Sequence, residues 1–462
     1  MRTYLNIVFC TILFTGGCNS FLEEDPRSFI TPDDFFMNPS DAQSAVDAIY
    51  SHLDGSSIYA NTHWQLQALM SDNGYANNLD PDLQQLSDFT LDADNGVVLD
   101  IWMQLYTAIN TTNFAIENIP NVLLSDSEKN VLIAEARYFR AMFYFDLARY
   151  FGGVPLMTTA NTSINQEFNI ERSHIDSVYA LIIDDLDFAQ INLSEFASYG
   201  RPTNLVASGL LAKVHTERKD YLKAFPLSRG VILSEAFSLL DNYEDVFKIN
   251  NNVSLEILFS IPLSTESPGP VNTRSLPTAL NGRSLDLPTA SLYRAFSMND
   301  SRKAVSIITT IINPDSSATE IEPHISKFWD KSAEPNGGPT ANNLPILRFS
   351  DLLLTHAEIV NELNNGPNSE ALYVINLVRV RAGLPAFGSM SQTAFRSALL
   401  EERRVELAWE GYRWFDLRRF DVLVDAVRQA KPSASVEAFH NLLPIPSVEI
   451  AKNPLLNQNP GY

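Results

Sequence analysis

Cys18 is the residue whose type and position most directly indicate a chemical modification. It follows Arg2, an apolar run at 5–14 and small residues at 15–17, in the order of a secretory signal peptide and its cleavage site. The apolar run is too short for a transmembrane helix, which needs about 20 apolar residues. After cleavage, acylation of the Cys18 thiol and of the new α-amine would supply the two signals that stable anchoring requires. We therefore expect a signal peptide over 1–17 and lipidation at Cys18, with an ordinary signal peptide and an incidental cysteine as the alternative.

Motifs for metal binding or nucleophilic catalysis do not appear in the sequence. Its 7 histidines form no HExxH or HxH pair, and no GxGxxG, P-loop or GxSxG pattern is present. Without Cys10, the mature chain has no thiol pair for a disulfide or a CxxC site. The sequence leaves open the alternative that two of its acidic residues form a catalytic pair for glycoside hydrolysis, although most acidic residues of proteins lie on the surface. We expect neither a metal nor a cofactor.

The net charge narrows the class of partner. It is −22 at pH 7, or −23 once Arg2 is removed with the signal peptide. Such a surface repels phosphate backbones, so we expect no nucleic-acid partner, and neutral or weakly charged ligands fit better. Apolar residues at 45% and aromatic residues at 10% are typical of a globular protein.

A charged run at 401–419 with interleaved tryptophans could bind a ligand or lock a helix to its neighbours. Glu402, Arg403 and Glu406 have the spacing of one helix face, and Trp409 follows them. Arginine pairs with carboxylates and stacks on aromatic rings when it is buried. We predict that this run is structural and that it does not form the ligand site.

Helical periodicity dominates the elements that must position these residues. Helices are predicted over 41–53 with Ser40 as the N-cap, 100–117, 134–151, 205–218, 221–234, 350–364, 369–381 and from 391 through 407. The helix over 134–151 is apolar on most of its circumference, which is typical of the centre of a core. Two pairs of these helices, 205–218 with 221–234 and 350–364 with 369–381, are predicted to form hairpins in the manner of tetratricopeptide repeats. Each pair has a small residue in both helices, and these residues are Ala212, Ala224, Ala357 and Ala371.

Residues 238–347 differ from the rest of the chain. Pro, Gly, Asn, Ser and Thr accumulate there, and short strands are predicted over 256–261 and 324–329. A loop-rich segment of this length inside a compact protein is more often functional than not. The predicted fold class is therefore mostly α, with a tetratricopeptide-like helical-pair scaffold and a loop-rich half that contains short strands.

Several stretches resemble the SusD/RagB family of nutrient-uptake lipoproteins of Bacteroidetes. The resemblance runs in order along the whole chain from Cys18 to the last residue, and the charged run reads ERRVELAWEGYRWFDLRR over 402–419. The other matching stretches are 18–22, 135–141, 152–156, 299–302, 348–354, 357–358, 443–449 and 453–462.

The resemblance implies an architecture and a function. It implies a lipidated leader at 18–37 and a single domain over 38–462, with four tetratricopeptide-like helix pairs and an irregular half at about 238–347. It further implies an outer-membrane lipoprotein, exposed at the cell surface, that binds an oligosaccharide or polysaccharide without cutting it. The protein would pass this glycan to a SusC-like TonB-dependent transporter. The alternative is a helical-repeat scaffold that binds peptide or another non-glycan nutrient.

In this family the glycan site usually draws on the segment after the first helix and on the irregular half, here 59–80 and 262–343. An aromatic face accepts the C–H groups of a sugar, while amides and guanidinium groups bond its hydroxyls. Trp102 lies in a periodic helix and is assigned to the core. The glycan-binding candidates are Trp64, Asn73, Tyr75, Asn77, Arg283 and Trp329.

Overall fold

A computed structural model gives the fold. It describes residues 36–53, 58–77, 79–161, 169–251, 254–264, 269, 271–313, 315–338 and 341–462. Cys18, the signal peptide over 1–17 and most of the 18–37 leader lie outside the described residues, so their predictions stay predictions. Within the described ranges, no helix combines the length and the apolar character that a membrane span requires.

Eight helices precede the irregular segment in the described chain. They are α1 (Pro39–Tyr50), α2 (His63–Leu69), α3 (Pro81–Asp88), α4 (Gly96–Asn118), α5 (Asp126–Phe151), α6 (Ile175–Asn192), α7 (Asn204–Glu217) and α8 (Tyr221–Leu233). The helices predicted over 100–117, 134–151, 205–218 and 221–234 are confirmed. The predicted N-cap at Ser40 is wrong, because the Asn38 side chain accepts the Ser40 amide and Pro39 opens the helix earlier.

Helix α5 is the centre of the hydrophobic core, as its sequence predicts. Ser125 and Glu128 form a capping box at its first turn. From Ala134 onward most of its circumference is buried, and Phe139 and Phe143 are each 0% exposed. The helix ends at Gly152, whose φ of 77° favours glycine.

The later part of the described chain alternates short strands with helices. Its helices are α9 (Val271–Ser275), α10 (Ala290–Ala295), α11 (Arg302–Ser306), α12 (Phe349–Leu363), α13 (Ser369–Arg381), α14 (Gln392–Glu406), α15 (Arg413–Arg419), α16 (Leu423–Ala430) and α17 (Ser447–Lys452). Its strands are β2 (Ile257–Ile261), β3 (Asp286–Pro288), β4 (Ile307–Ile312), β5 (Ala318–Ile325) and β6 (Leu344–Arg348), and one earlier strand, β1 (Gly74–Ala76), lies between α2 and α3.

The strands form antiparallel pairs, β1 with β3, β2 with β6 and β4 with β5. Strand β2 confirms the prediction over 256–261. The strand predicted over 324–329 is misplaced, because β5 ends at Ile325 and the Trp329 amide then donates to the Ser326 carbonyl at 2.9 Å in a turn.

The helical scaffold is a continuous stack in which α4, α5, α6, α7, α8 and α12 each pack against the next. Helices α13 and α14 then pack against α12. Ala212 on α7, Ala224 on α8, Ala357 on α12 and Ala371 on α13 are all 0% exposed, so the small residues lie inside the packed scaffold as predicted. The mostly α fold class is confirmed.

Candidate ligand-binding face

Glu406 at the end of α14 is the centre of a buried ion-pair network. Its carboxylate lies 3.0 Å from Arg302, 3.1 Å from Arg348 and 2.7 Å from Arg381. Burial raises the pKa of Glu406, but Arg381, Arg348 and Arg302 outweigh it and hold the pKa well below its usual range. The carboxylate is therefore ionised and already bonded to neighbours inside the protein.

The neighbouring arginines are also bonded within the protein. Arg403 lies 2.9 Å from both Asp351 and Asp416, and Arg404 lies 3.1 Å from Asp72. Each of these five side chains is at most 7% exposed. The predicted structural role of the charged run is thus supported by its geometry. Spacing along α14 does not reveal the partners, which come from other segments.

Two of the six candidate site residues are buried. Trp64 is 2% exposed, its Nε1 donates to the Trp409 carbonyl at 2.7 Å, and the two rings meet edge to face. Asn73 is also 2% exposed, and its Oδ1 accepts from Arg404 Nε at 2.8 Å. Both side chains are buried and bonded inside the protein, so the structure places both residues in the core and not at a solvent-exposed surface.

Tyr75 is presented to solvent by strand β1. Gly74 and Ala76 on either side are buried, whereas the Tyr75 side chain points outward and the residue is 38% exposed. Partial burial, and then the charge of Glu322, raise the pKa of the Tyr75 hydroxyl, which therefore stays protonated near neutral pH. The residue offers a ring and a neutral hydroxyl at the surface.

Asn77 joins the two sequence regions that the family resemblance indicates. Its amide donates to the Leu285 carbonyl at 3.2 Å, and its side-chain Nδ2 donates to the Ser284 carbonyl. Ser284 in turn bonds His324 of β5, with 3.1 Å between Oγ and Nε2. The segment after β1 and the irregular half therefore meet at the 276–285 loop.

Two glycines allow close backbone contacts around this loop. A Cβ at Gly282 would lie 1.9 Å from the Leu276 carbonyl oxygen. A Cβ at Gly337, which has a φ of 73°, would lie 2.2 Å from the Leu280 carbonyl oxygen. Only glycine permits such approaches, so the 276–285 loop and the 329–338 segment are packed backbone to backbone.

Trp329 differs from the other tryptophans of the chain. It is half-buried, whereas Trp64, Trp102, Trp409 and Trp414 are at most 4% exposed, which confirms Trp102 as a core residue. Its Nε1 donates to the Glu334 carbonyl at 2.6 Å. The ring, like Ile321, packs against a small hydrophobic cluster separate from the main core, formed by Leu276, Leu280, Ile308 and Ile311.

Arg283 lies on the 276–285 loop and is exposed. By contrast, Arg274 is 8% exposed and donates two hydrogen bonds, of 2.9 and 3.2 Å, to the buried Asp286 carboxylate. Of the guanidinium groups of Arg274 and Arg283, it is therefore that of Arg283 that is exposed and available to a ligand. We call Tyr75, Asn77, Arg283 and Trp329, with the segments that carry them, the loop face.

A spacious surface groove lies elsewhere, between the 295–300 segment, the 379–387 segment and α14. Its cavity volume is about 540 Å³, and its lining includes Met298, which is 96% exposed, Arg379 and Phe387. Arg379 is bonded to Glu402 at 2.6 Å and stacks 3.6 Å above the Phe387 ring. Its polar lining is therefore largely engaged, and none of the candidate residues lies in it.

Comparison with protein families places both ends of the chain in one group. A family model described as "SusD family" matches residues 297–462. A second model, described as "Starch-binding associating with outer membrane", matches residues 20–215. SusD-like protein P2 of Formosa agariphila is 30% identical over 100% of both chains, and SusD-like protein P25 of the same organism is 28% identical over 99% of both.

Solved structures share the fold. A SusD superfamily protein from Bacteroides vulgatus superposes with a TM-score of 0.85 at 22% identity, covering 93% of this chain and 100% of that one. A laminarin-binding SusD-like protein superposes with a TM-score of 0.80 at 25% identity, covering 92% and 100% respectively. The helical stack and the irregular half thus recur together in proteins of this architecture.

Proposed function

The chain belongs to the SusD family, and from this premise we propose that it captures a glycan on the loop face and releases it uncut. The observation that carries the proposal is the loop face itself. Tyr75 and Trp329 each carry a partly exposed aromatic ring, and Arg283 is exposed. Asn77 bonds the 276–285 loop, Trp329 packs against it and Arg283 lies on it. Rings and hydrogen-bonding groups together are what a sugar surface requires.

The scaffold supports binding rather than catalysis. Glu406 and Asp351, two carboxylates whose pKa values are strongly lowered by neighbouring cations, are buried and closed to solvent. The described residues contain no group of His, Cys, Asp and Glu side chains arranged to hold a metal ion. A rigid frame with loops at its surface is a common arrangement for a binding site.

The proposal includes an anchor and a partner. Cys18 would carry the lipid that attaches the chain to the outer membrane, and the description of one matching family model, which names the outer membrane, supports this location. The glycan would pass to a SusC-like TonB-dependent transporter, with the helical stack facing the transporter. Cys18→Ala should release the protein from membranes or block its processing, and protease added to intact cells should cleave the wild-type protein.

The direct test is a binding measurement on the full chain. Oligosaccharides of laminarin and starch, together with a wider glycan panel, are titrated calorimetrically, and the products are analysed for shortened sugars. Binding without cleavage is the expected result. Release of shortened sugars would overturn the non-catalytic assignment. Binding of peptides with no response to any glycan would favour the peptide-binding scaffold instead.

A further inference from the structure

Among the described residues, strand β1 pairs with a strand, β3, on one side only. Thr289 N donates to Asn73 O and Asn77 N donates to Leu285 O, so these residues face β3 as hydrogen-bonded pairs. The alternation of an antiparallel ladder then turns the carbonyl of Gly74 and the amide of Ala76 away from β3. A strand of 3 residues with an unpaired edge needs other partners to hold its side chains in place.

Two side chains supply these partners. Lys431, just after α16, donates from Nζ to the Gly74 carbonyl at 3.3 Å. Ser87 on α3 accepts the Ala76 amide on its Oγ at 3.2 Å. These two bonds fall on the residues immediately before and after Tyr75.

Lys431 also connects β1 to its surroundings. Its Nζ donates to the Leu69 carbonyl at 2.6 Å and to the Ser87 carbonyl at 3.0 Å. Burial lowers the pKa of Lys431 to about 7, and in the protonated form each of the three ammonium protons has one backbone carbonyl as acceptor. The end of α2, the start of β1 and the end of α3 are thereby bonded to a single atom.

The environment of this ammonium group is unusual for a lysine. Lys431 is 8% exposed and forms no ion pair with a carboxylate of the described chain. The Phe89 ring lies 5.0 Å from its Nζ, and the charges that reach it are those of Asp72 and Asp88. Asp72 is itself paired with Arg404 and Arg413. Because Lys431 is bonded to backbone carbonyls and not to a carboxylate, we infer that its bonds hold these segments in position and do not serve an ion pair.

We propose that Lys431, supported by Ser87, is a positioning residue that fixes β1 and so sets the orientation of the Tyr75 ring on the loop face. This inference rests on the proposed glycan-binding function. It adds a residue that lies outside the loop face and never contacts the ligand. Removing it should weaken glycan binding only through Tyr75.

The test is a double-mutant cycle in the full chain, measured with whichever laminarin or starch oligosaccharide binds the wild type. Lys431→Met should weaken affinity about three- to tenfold, as expected when one contact group is misplaced. In the Tyr75→Ala background the same change should cost less than about twofold, because the ring it positions is gone. Lys452→Met, at an exposed lysine with a side chain 63% exposed, is the matched control and should leave affinity unchanged.

A second measurement needs no ligand. Amide hydrogen exchange at Ala76 should be about tenfold faster in Lys431→Met than in the wild type, while exchange in the centre of α5 stays unchanged. Ser87→Ala provides a milder variant if Lys431→Met does not fold, and it should produce the same local change in exchange and the same dependence on Tyr75.

The outcomes separate the inference from the function on which it rests. Equal losses in the presence and absence of the Tyr75 ring, or unchanged exchange at Ala76, would overturn the positioning role even if glycan binds. If the wild type binds no glycan while Ala76 exchange responds to Lys431→Met, the proposed function fails and Lys431 is a purely structural clamp.

Discussion

The charged network around α14 and the loop face use the same kinds of side chain in opposite ways. In the network, Arg302, Arg348 and Glu406 are buried, and their charges are bonded to one another. On the loop face, Arg283 is exposed, and Tyr75 and Trp329 each keep part of a ring in solvent. The network holds segments together, while the loop face keeps its binding groups available.

This difference explains why the stretches with the strongest family resemblance are not the candidate binding site. The ERRVEL stretch of α14 places arginines and glutamates where other segments supply their partners. A buried charge without its partner is costly, so such residues are tightly constrained by the fold. A loop face has no such requirement, and its side chains can change with the ligand without unfolding the scaffold.

The largest expected effect is on the network. Glu406→Ala leaves three buried arginines without this carboxylate and should lower the free energy of unfolding by about 3–5 kcal/mol. Chemical denaturation of purified protein measures the loss. Arg428→Ala removes an exposed pair with Glu437 and should cost no more than about 1 kcal/mol. A similar loss in both variants would erase the distinction between buried and exposed pairs.

Acid should also destabilise the charged network. Asp72 and Asp416 are buried, which raises their pKa values, but Arg413 and Arg403 respectively outweigh burial and lower the pKa values below 3.8. A carboxyl group with a lowered pKa stabilises the fold above its unfolded pKa, and this contribution is lost as pH falls through the folded value. The melting temperature should therefore fall steeply below about pH 4. A flat profile down to pH 2 would contradict this assignment.

A smaller effect is expected on the loop face, and it should appear in affinity alone. Trp329→Ala removes an aromatic surface and should weaken glycan binding by about ten- to a hundredfold, or roughly 1–3 kcal/mol. Its melting temperature should change little, because the ring packs on a small cluster outside the main core. Trp329→Phe keeps a ring and should retain part of the affinity. Equal affinities of wild type and Trp329→Ala would remove this residue from the site.

The smallest expected effect on affinity is the loss of a hydrogen-bonding side chain, which should cost less than the loss of an aromatic ring. Asn77→Ala removes a polar side chain together with its bond to the Ser284 carbonyl, and it should weaken glycan binding by about two- to fivefold, since one neutral hydrogen bond contributes about 1 kcal/mol or less. Arg404→Ala, within the network, should instead lower stability and leave the affinity of the folded fraction unchanged. Lost binding at a normal melting temperature for Arg404→Ala would place the network in the ligand site and reverse the comparison.

Much of the fold is predictable from local pattern. The helices of the scaffold, the apolar circumference of α5 and the small residues in the helical pairs all follow from side-chain periodicity, and the structure confirms them. Helix α6 escaped the sequence prediction, since its buried face includes Asp185, which interrupts the apolar pattern. That carboxylate bonds Arg140 on α5 at 2.7 and 2.8 Å, a partner 45 residues away.

The site was only partly predictable. Residue type singled out both Trp64 and Trp329, but folding buries Trp64 against Trp409 and leaves Trp329 half-buried in a surface turn. The bonds of Asn77 to the 276–285 loop cross 207 residues, so no local pattern reveals them. Lys431 was missed for the same reason, because its carbonyl partners lie 344 to 362 residues earlier in the chain.

The sequence by itself determined the family, the helical scaffold, the acidic surface and the two regions from which a binding site could be built. Tertiary structure alone decided which aromatic rings reach solvent, which arginines are already paired and which distant carbonyls hold β1. The physical reason is the distance along the chain between the residues that interact. Periodicity reports how each segment meets water or core, whereas availability for a ligand depends on partners that only folding brings within hydrogen-bonding distance.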